Sequence, residues 1–320
     1  MLQRVLYLLK TYLLTMLIFI IAKVVFMLYN SSQVYSGHDI LTVLWNGLSL
    51  DFSTSLYIII VPFLVCAVSI WLGGIKTLRI IVRVYYLLIA IAMTLAFVAD
   101  TSLYEFWLFK LDSSCLQYLE TPTEAMASVS LGYIVIRFIV IAIVSYIIWW
   151  AYTHPHWRIT PSNHRITESI VALLCIPVII IGIRGGLGES TTNIGQVYFS
   201  QNQFLNHSAV NPVFNFIDSF DKADADYSFM SDDECSKIMS DLYNTQSINC
   251  DTLLNTQNPN IIIILLEGCG GEFTEIGGRT DITPNLNKLA KEGIYFTNCY
   301  GNTWRTDRGT VCALSGYPSF

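Results

Sequence analysis

Five stretches of this chain are apolar over close to the roughly 20 residues that a helix needs to cross a bilayer. They are residues 11–28, 56–72, 80–98, 134–152 and 166–183. No other property limits the fold as strongly. A backbone in hydrocarbon must satisfy its hydrogen bonds internally, and for runs of this length that means helices. A length of 320 residues would also hold two soluble domains, but 53% hydrophobic against 13% charged residues argues for a membrane protein. The fifth stretch is the weakest, because Glu168 lies near its start. Arg4 and Lys10 precede the first, as in a signal peptide. That run is long and lacks a small-residue cleavage site, so a retained anchor is expected.

Lysine and arginine alternate between the connections. Arg4 and Lys10 precede the first span, Lys76 and Arg79 lie between the second and third, and Arg158 and Arg165 lie between the fourth and fifth. Residues 30–55 carry none, and residues 99–133 carry Lys110 alone among five acids. The positive-inside rule then places the N-terminus in the cytoplasm and everything after residue 183 outside. The expected location is the plasma (inner) membrane, multi-pass. Lys23 and Arg137 fall inside apolar runs. An intramembrane charge is a functional candidate, but both side chains are long enough to snorkel, and that is the expectation here. His38, Asp39 and Asp51 are expected as solvated outer-loop residues. Pro62 and Pro177 are expected to kink their helices. The spans hold few polar residues and no obvious repeat, which argues against a transporter.

The net charge of −6 comes with no basic cluster, so no nucleic-acid partner is expected. Eight cysteines include no C-x-x-C pair, which gives no sign of a zinc ribbon. Cys66 and Cys175 read as packing residues. Cys235 and Cys250 are either a disulfide on the oxidising side or two free thiols. Arg184-Gly185-Gly186 marks a sharp exit from the fifth span. The aromatics between residues 197 and 220 read as short helices on the outer leaflet, or as packing beneath a soluble domain. Ser231-Asp232-Asp233-Glu234 starts a short helix through Leu242, and residues 244–258 read as a linker.

The chemistry gathers in the last sixty residues. Residues 260–266 are an unbroken Ile/Leu run after Asn-Pro-Asn, as in a strand buried on both faces. Glu267 stands at its carboxyl end, where open α/β sheets bind ligands and a hard divalent cation finds carboxylate oxygen. Thr283 and Pro284 open a helix with Leu286, Leu289 and Ala290 inward, closed by Gly293. Residues 294–298 read as a second buried strand. From Thr306 a helical pattern follows, with Val311, Ala313 and Leu314 inward. A hydroxyl at a helix N-terminus beside a metal loses its proton more readily and can attack phosphorus. Arg305 and Arg308 flank it and suit phosphate oxygens. The alternative makes Thr306 an ordinary N-cap and both arginines surface residues.

The stretches N-I-I-I-I-L-L-E-G, T-P-N-L-N-K-L-A-K-E-G-I-Y-F-T-N and R-T-D-R-G-T-V-C-A-L-S-G-Y-P resemble the start of the catalytic domain of the lipoteichoic acid synthase and phosphoglycerol transferase family. That family lies within the alkaline phosphatase–sulfatase superfamily. The five spans, the Arg-Gly-Gly exit and residues 202–220 are similar too. The resemblance implies an extracytoplasmic α/β domain on a five-helix anchor. It also implies Glu267 and Thr306 as ligands of a manganese, magnesium or zinc ion, with Thr306 the catalytic nucleophile. The implied partners are a phospholipid donor and a glycan or lipid acceptor. Classical sulfatases carry Cys or Ser in a C/S-x-P/A-x-R motif. Here Thr306 holds the nucleophile position, and Cys312-Ala313-Leu314-Ser315-Gly316 lacks the arginine, which disfavours formylglycine chemistry. The family's later Asp-His ligands have no counterpart, since His38, His154, His156, His164 and His207 all precede the domain.

The expected architecture is therefore a five-helix transmembrane domain over residues 1–183, juxtamembrane helices and linker over 184–259, and the N-terminal part of a sulfatase-like catalytic domain over 260–320. The expected function is metal-dependent phosphoglycerol-type transfer, inactive in a chain that holds half a catalytic domain. The alternatives are phosphoethanolamine transfer, superfamily hydrolysis, or a truncated or catalytically dead membrane scaffold.

Overall fold

The computed structural model describes residues 2–30, 35–119, 130–154, 161–188, 190–223, 230–242, 259–266, 269–301, 303 and 306–316. Each apolar stretch lies within one long helix. These are α1 (Leu2–Tyr29), α2 (Gly37–Leu72), α3 (Lys76–Trp107), α4 (Leu131–Thr153) and α5 (Arg165–Arg184). Among the described residues these five are long and apolar enough to cross a membrane. The short helices α6 (Gln203–Ala209) and α7 (Pro212–Ala223) complete a compact unit ending at Phe229.

α2 overruns its apolar stretch furthest. α2 has 36 residues, about 54 Å against about 30 Å of hydrocarbon. Residues 37–55, expected as loop, are therefore its first half. Ser36 and Asp39 form a capping box: Asp39 N donates to Ser36 Oγ at 3.3 Å, and Ser36 N donates to Asp39 Oδ2 at 2.7 Å. Hydropathy misses this half because protein, rather than lipid, covers it: Val43, Leu50, Asp51 and Ser55 are fully buried. Pro62 and Pro177 lie inside α2 and α5 without ending them.

α2 is the hub, packing on α1, α5 and α6, while α3 packs mainly along α4. Tyr86 on α3 stacks on Tyr152 of α4 with ring centroids 4.6 Å apart. Their hydroxyls reach α1, Tyr86 through Tyr7 (2.8 Å) and Tyr152 through Thr15 (2.7 Å). Such interhelical bonds stabilise a bundle where packing gains nothing from expelling water. The acid that weakened the fifth stretch is also accounted for. Arg4 Nη1 donates to Glu168 Oε2 at 3.0 Å, and Arg4 also donates to Ser69 Oγ (3.0 Å) and to the Ser69 carbonyl (2.9 Å). One arginine thus ties together the start of α1, the end of α2 and the start of α5. α5 closes on Gly185 in the left-handed region (φ 88°), with Gly186 N donating to Ile181 O at 2.9 Å.

The aromatic connector does not lie flat beside the bundle. Val197, Phe204, Leu205, Ala209 and Val210 are buried in one core with Phe26 and Met27 of α1, Val43 and Leu50 of α2, and Tyr104 of α3. Ile217 (64% exposed) and Phe220 keep the outward character read from the sequence.

The second unit runs from Met230 onward. Its helices are α8 (Asp232–Leu242), α9 (Pro284–Glu292) and α10 (Thr306–Ser315). The expected cap of α8 is formed: Ser231 Oγ and N both donate to Glu234 Oε2, at 2.9 and 3.1 Å. Cys235 is exposed, while Cys250 lies outside the described residues. Residues 260–266 and 294–298 form no strand among the described residues, and Ile262 is 85% exposed. A strand buried on both faces needs neighbours on both sides, and none is assigned here. For the same reason the expected inner faces are open: Leu289, Val311 and Leu314 are exposed, whereas Asn287 and Cys312 are buried.

Candidate functional site

In the second unit, Thr306 is the first residue of α10. That is the helix-start position expected of it, although its side chain lies outside what is described. Arg308 is exposed in the first turn. Glu267 and Arg305 lie outside the described residues, so these four are not brought together geometrically. Ahead of α10, residues 269–293 form a small ordered platform. Thr283 does not cap α9 through its side chain. Its hydroxyl donates to Phe273 O at 2.8 Å instead. Asn287 Oδ1 accepts from Glu275 N at 2.9 Å, and Lys291 pairs with Glu275 at 2.7 Å. These contacts fold the segment after Glu267 back onto α9. Among the described residues no group of three His, Cys, Asp or Glu side chains is placed to hold a metal ion.

The first unit holds a polar cluster that sequence reading missed. Lys23, expected to snorkel, is 2% exposed. Its ammonium donates to Asp51 Oδ2 at 2.8 Å and to Gly47 O at 2.9 Å. Asp51, expected in a solvated loop, is fully buried on α2. Its other oxygen accepts from Asn211 Nδ2 at 2.9 Å. Asn211 also caps α7, since its Oδ1 accepts from Val213 N (3.0 Å) and Phe214 N (3.2 Å). The Asn-Pro pair at 211–212 was thus a visible helix start. Its long-range bond to Asp51 had no signature in the sequence.

Next to this pair, Asp100 near the end of α3 accepts from the Lys110 ammonium and, at 3.0 Å, from Leu111 N. Lys110 lies 3.9 Å from the centre of the Phe26 ring. Burial pushes the Lys110 ammonium down, against the pull of Asp100. A small cavity between α1, α3 and the connector is lined by Lys23, Phe97, Asp100, Lys110, Ser208 and Pro212, among others. His207 sits nearby. Its Nδ1 lies 3.1 Å from Tyr104 Oη, and its Nε2 lies 3.1 Å from the Gln203 amide nitrogen. With the amide donating to Nε2, the ring proton is on Nδ1 and goes to Tyr104. Burial, with help from Lys110, pushes His207 down to about 4. The cluster is therefore two internally neutralised ion pairs and a neutral histidine. Such an arrangement suits locking the connector into the bundle better than binding a charged ligand.

Residues 259–319 match the sulfatase family model. Over 64 residues the chain is 34% identical to an ulvan-active sulfatase of Formosa agariphila, covering 20% of this chain and 11% of that protein. Over 75 residues it is 33% identical to an N-acetylgalactosamine-6-O-sulfatase of Bacteroides thetaiotaomicron, covering 23% of this chain and 15% of that protein. The chain thus spans about a ninth to a seventh of the length of these curated relatives. No solved structure matches. These similarities support the alkaline phosphatase–sulfatase superfamily for residues 259–319, which this chain joins to a unit of five long apolar helices.

Proposed function

We propose that this chain is the membrane anchor and nucleophile-bearing start of a metal-dependent phosphoglycerol-type transferase acting on phospholipid headgroups. The observation that carries the reading is the sulfatase-family match over residues 259–319, on the same chain as five membrane-length helices. An enzyme held at a bilayer has lipid phosphodiesters within reach. The charge alternation between spans puts residues after 183 on the extracytoplasmic side.

Glu267 and Thr306 would hold the ion, since a carboxylate and a hydroxyl suit a hard divalent cation such as manganese or magnesium, and zinc also accepts oxygen ligands. Such an ion, when bound, polarises the hydroxyl and a phosphoryl oxygen. The Thr306 hydroxyl oxygen attacks phosphorus, and the bond from phosphorus to the diacylglycerol oxygen breaks. Diacylglycerol leaves with the proton given up by Thr306. A hydroxyl of a glycan or lipid acceptor then attacks the phosphothreonine and returns a proton to Thr306. Arg305 and Arg308 steady the phosphoryl oxygens. The α/β sheet that would carry Glu267 belongs to this proposal.

Sulfate-ester hydrolysis is the second reading, favoured by the activities named for the two relatives. A threonine where formylglycine chemistry needs cysteine or serine speaks against it. The test uses the full-length enzyme with Thr306→Ala and mass spectrometry of the trapped adduct. A glycerophospho-threonine in the wild type, and loss of adduct and turnover in the variant, are expected. A phosphoethanolamine adduct would move the assignment to phosphoethanolamine transfer. Undiminished turnover by the variant would overturn the threonine mechanism.

A further inference from the structure

At the end of the bundle where α1 and α3 stop and α4 begins, Arg137 is held between two tyrosines. Its guanidinium carbon lies 5.0 Å from the Tyr29 ring centre and 4.6 Å from that of Tyr133. Nη2 donates to both phenol oxygens, at 3.3 Å for Tyr133. Nε is buried and has no acceptor, and among the described residues Nη1 makes no hydrogen bond. No carboxylate lies within ion-pair distance of Arg137 among the described residues. Glu105, the nearest acid by connection, meets the site through the Tyr29 hydroxyl at 3.4 Å. The three other cations of the bundle core, Arg4, Lys23 and Lys110, all have a carboxylate. Arg137 is built differently: aromatic faces hold its plane, and part of its donor set is left open.

Its surroundings say what fits. Further along the same two helices, Val25 and Leu28 on α1 are about half exposed, and Val140 and Ile141, one turn from Arg137 on its own face of α4, are half-buried. The site is therefore a cation at the rim of an apolar surface, flanked by the tyrosines that favour a membrane interface. A free anion would gain nothing from the apolar residues, and a neutral lipid would gain nothing from the open N–H groups. A phosphodiester carrying acyl chains uses both. Arginine matches phosphate oxygens better than lysine, through its planar fork.

We propose that Arg137, set by Tyr29 and Tyr133, is the phosphate-binding element of a phospholipid site on the outside of α1 and α4. The phosphodiester of a membrane lipid accepts from the Nη1 N–H groups, and the acyl chains lie along the apolar flank of the two helices. The site stands apart from the transferase reading and holds whether or not that reading does.

The test uses the full chain, delipidated in detergent, with thermal stability followed on titration of phosphatidylglycerol, diacylglycerol of the same chains, or soluble glycerol phosphate. Phosphatidylglycerol is expected to raise Tm, and the other two to leave it near the lipid-free value. Arg137→Gln should weaken the phosphatidylglycerol midpoint about tenfold, the loss of a charge-assisted hydrogen bond. Arg137→Lys should fall between, because it keeps the charge and loses the fork; it carries the test should the glutamine variant not fold. An equal shift with diacylglycerol would reduce the site to an acyl groove. An equal shift with glycerol phosphate would reduce it to a plain anion site. Unchanged midpoints in the Arg137 variants would remove the arginine from it. Any one of these overturns the proposal.

Discussion

Asp51→Ala is the sharpest probe of the first unit. In the wild type Asp51 is fully buried and answers two donors, Lys23 Nζ at 2.8 Å and Asn211 Nδ2 at 2.9 Å. Alanine leaves the Lys23 ammonium with the Gly47 carbonyl at 2.9 Å and removes the long-range acceptor of Asn211. Removing one partner of a buried pair costs about 3–5 kcal/mol, because the other charge stays desolvated. The orphaned amide of Asn211 places the expectation toward the upper part of that range. Lys23→Met removes the stranded charge, so Lys23→Met/Asp51→Ala should recover at least half of the loss. The measurement is a double-mutant cycle on thermal or denaturant unfolding in one detergent or nanodisc. Average interhelical hydrogen bonds in membranes couple by about 0.6 kcal/mol. A buried ion pair should exceed about 2 kcal/mol. Coupling at or below the smaller figure would mean that the two charges do not depend on each other, and the lock described here would be wrong.

Gly47→Ala should destabilise by about 1–3 kcal/mol by overpacking, since a Cβ there runs into Lys23 Nζ and the Ala209 carbonyl; an unfolding midpoint equal to wild type would contradict the close approach of α2 and α6. Glu168→Ala should cost about 1–3 kcal/mol, because Arg4 keeps its two bonds to Ser69, and hydrogen exchange should rise first in α5. His207 is held near 4 in the fold against 6.5 when exposed. A base with a depressed folded value stabilises above its unfolded value and loses that contribution as pH falls. Tm should therefore drop between about pH 6.5 and 4 in the wild type, and the drop should be smaller in His207→Gln; equal pH profiles for the two proteins would refute the assignment.

Much of the first unit was legible from local pattern. The five apolar stretches and the glycine exit at 185–186, and in the second unit the Ser231–Glu234 cap, are each encoded within a few residues, and they appear in the structure. The miscast residues share one cause. Lys23 looked like a snorkelling cation and Asp51 like a loop acid because the sequence shows neither as the partner of the other. Asp51 and Asn211 are 160 positions apart. The first half of α2 was read as loop because its polar residues face protein, and hydropathy cannot tell a protein neighbour from water. In the second unit, Ile/Leu runs announce strands, but a strand exists only with its ladder partners, and residues 260–266 stand without them among the described residues.

The sequence by itself determined that this chain builds five membrane-length helices, and it supplied the threonine, carboxylate and arginines on which the proposed phosphoryl transfer rests. Hydropathy, capping and motif spacing are short-range properties, so a linear reading reaches them. Only the tertiary structure decided that Lys23, Asp51 and Asn211 form one lock, that Asp100 neutralises Lys110, and that Arg137, unlike Arg4, Lys23 and Lys110, has no carboxylate within ion-pair distance among the described residues. The physical reason is the low dielectric between packed helices. There a charge is tolerable only beside its complement, and the fold chooses which distant residue supplies it.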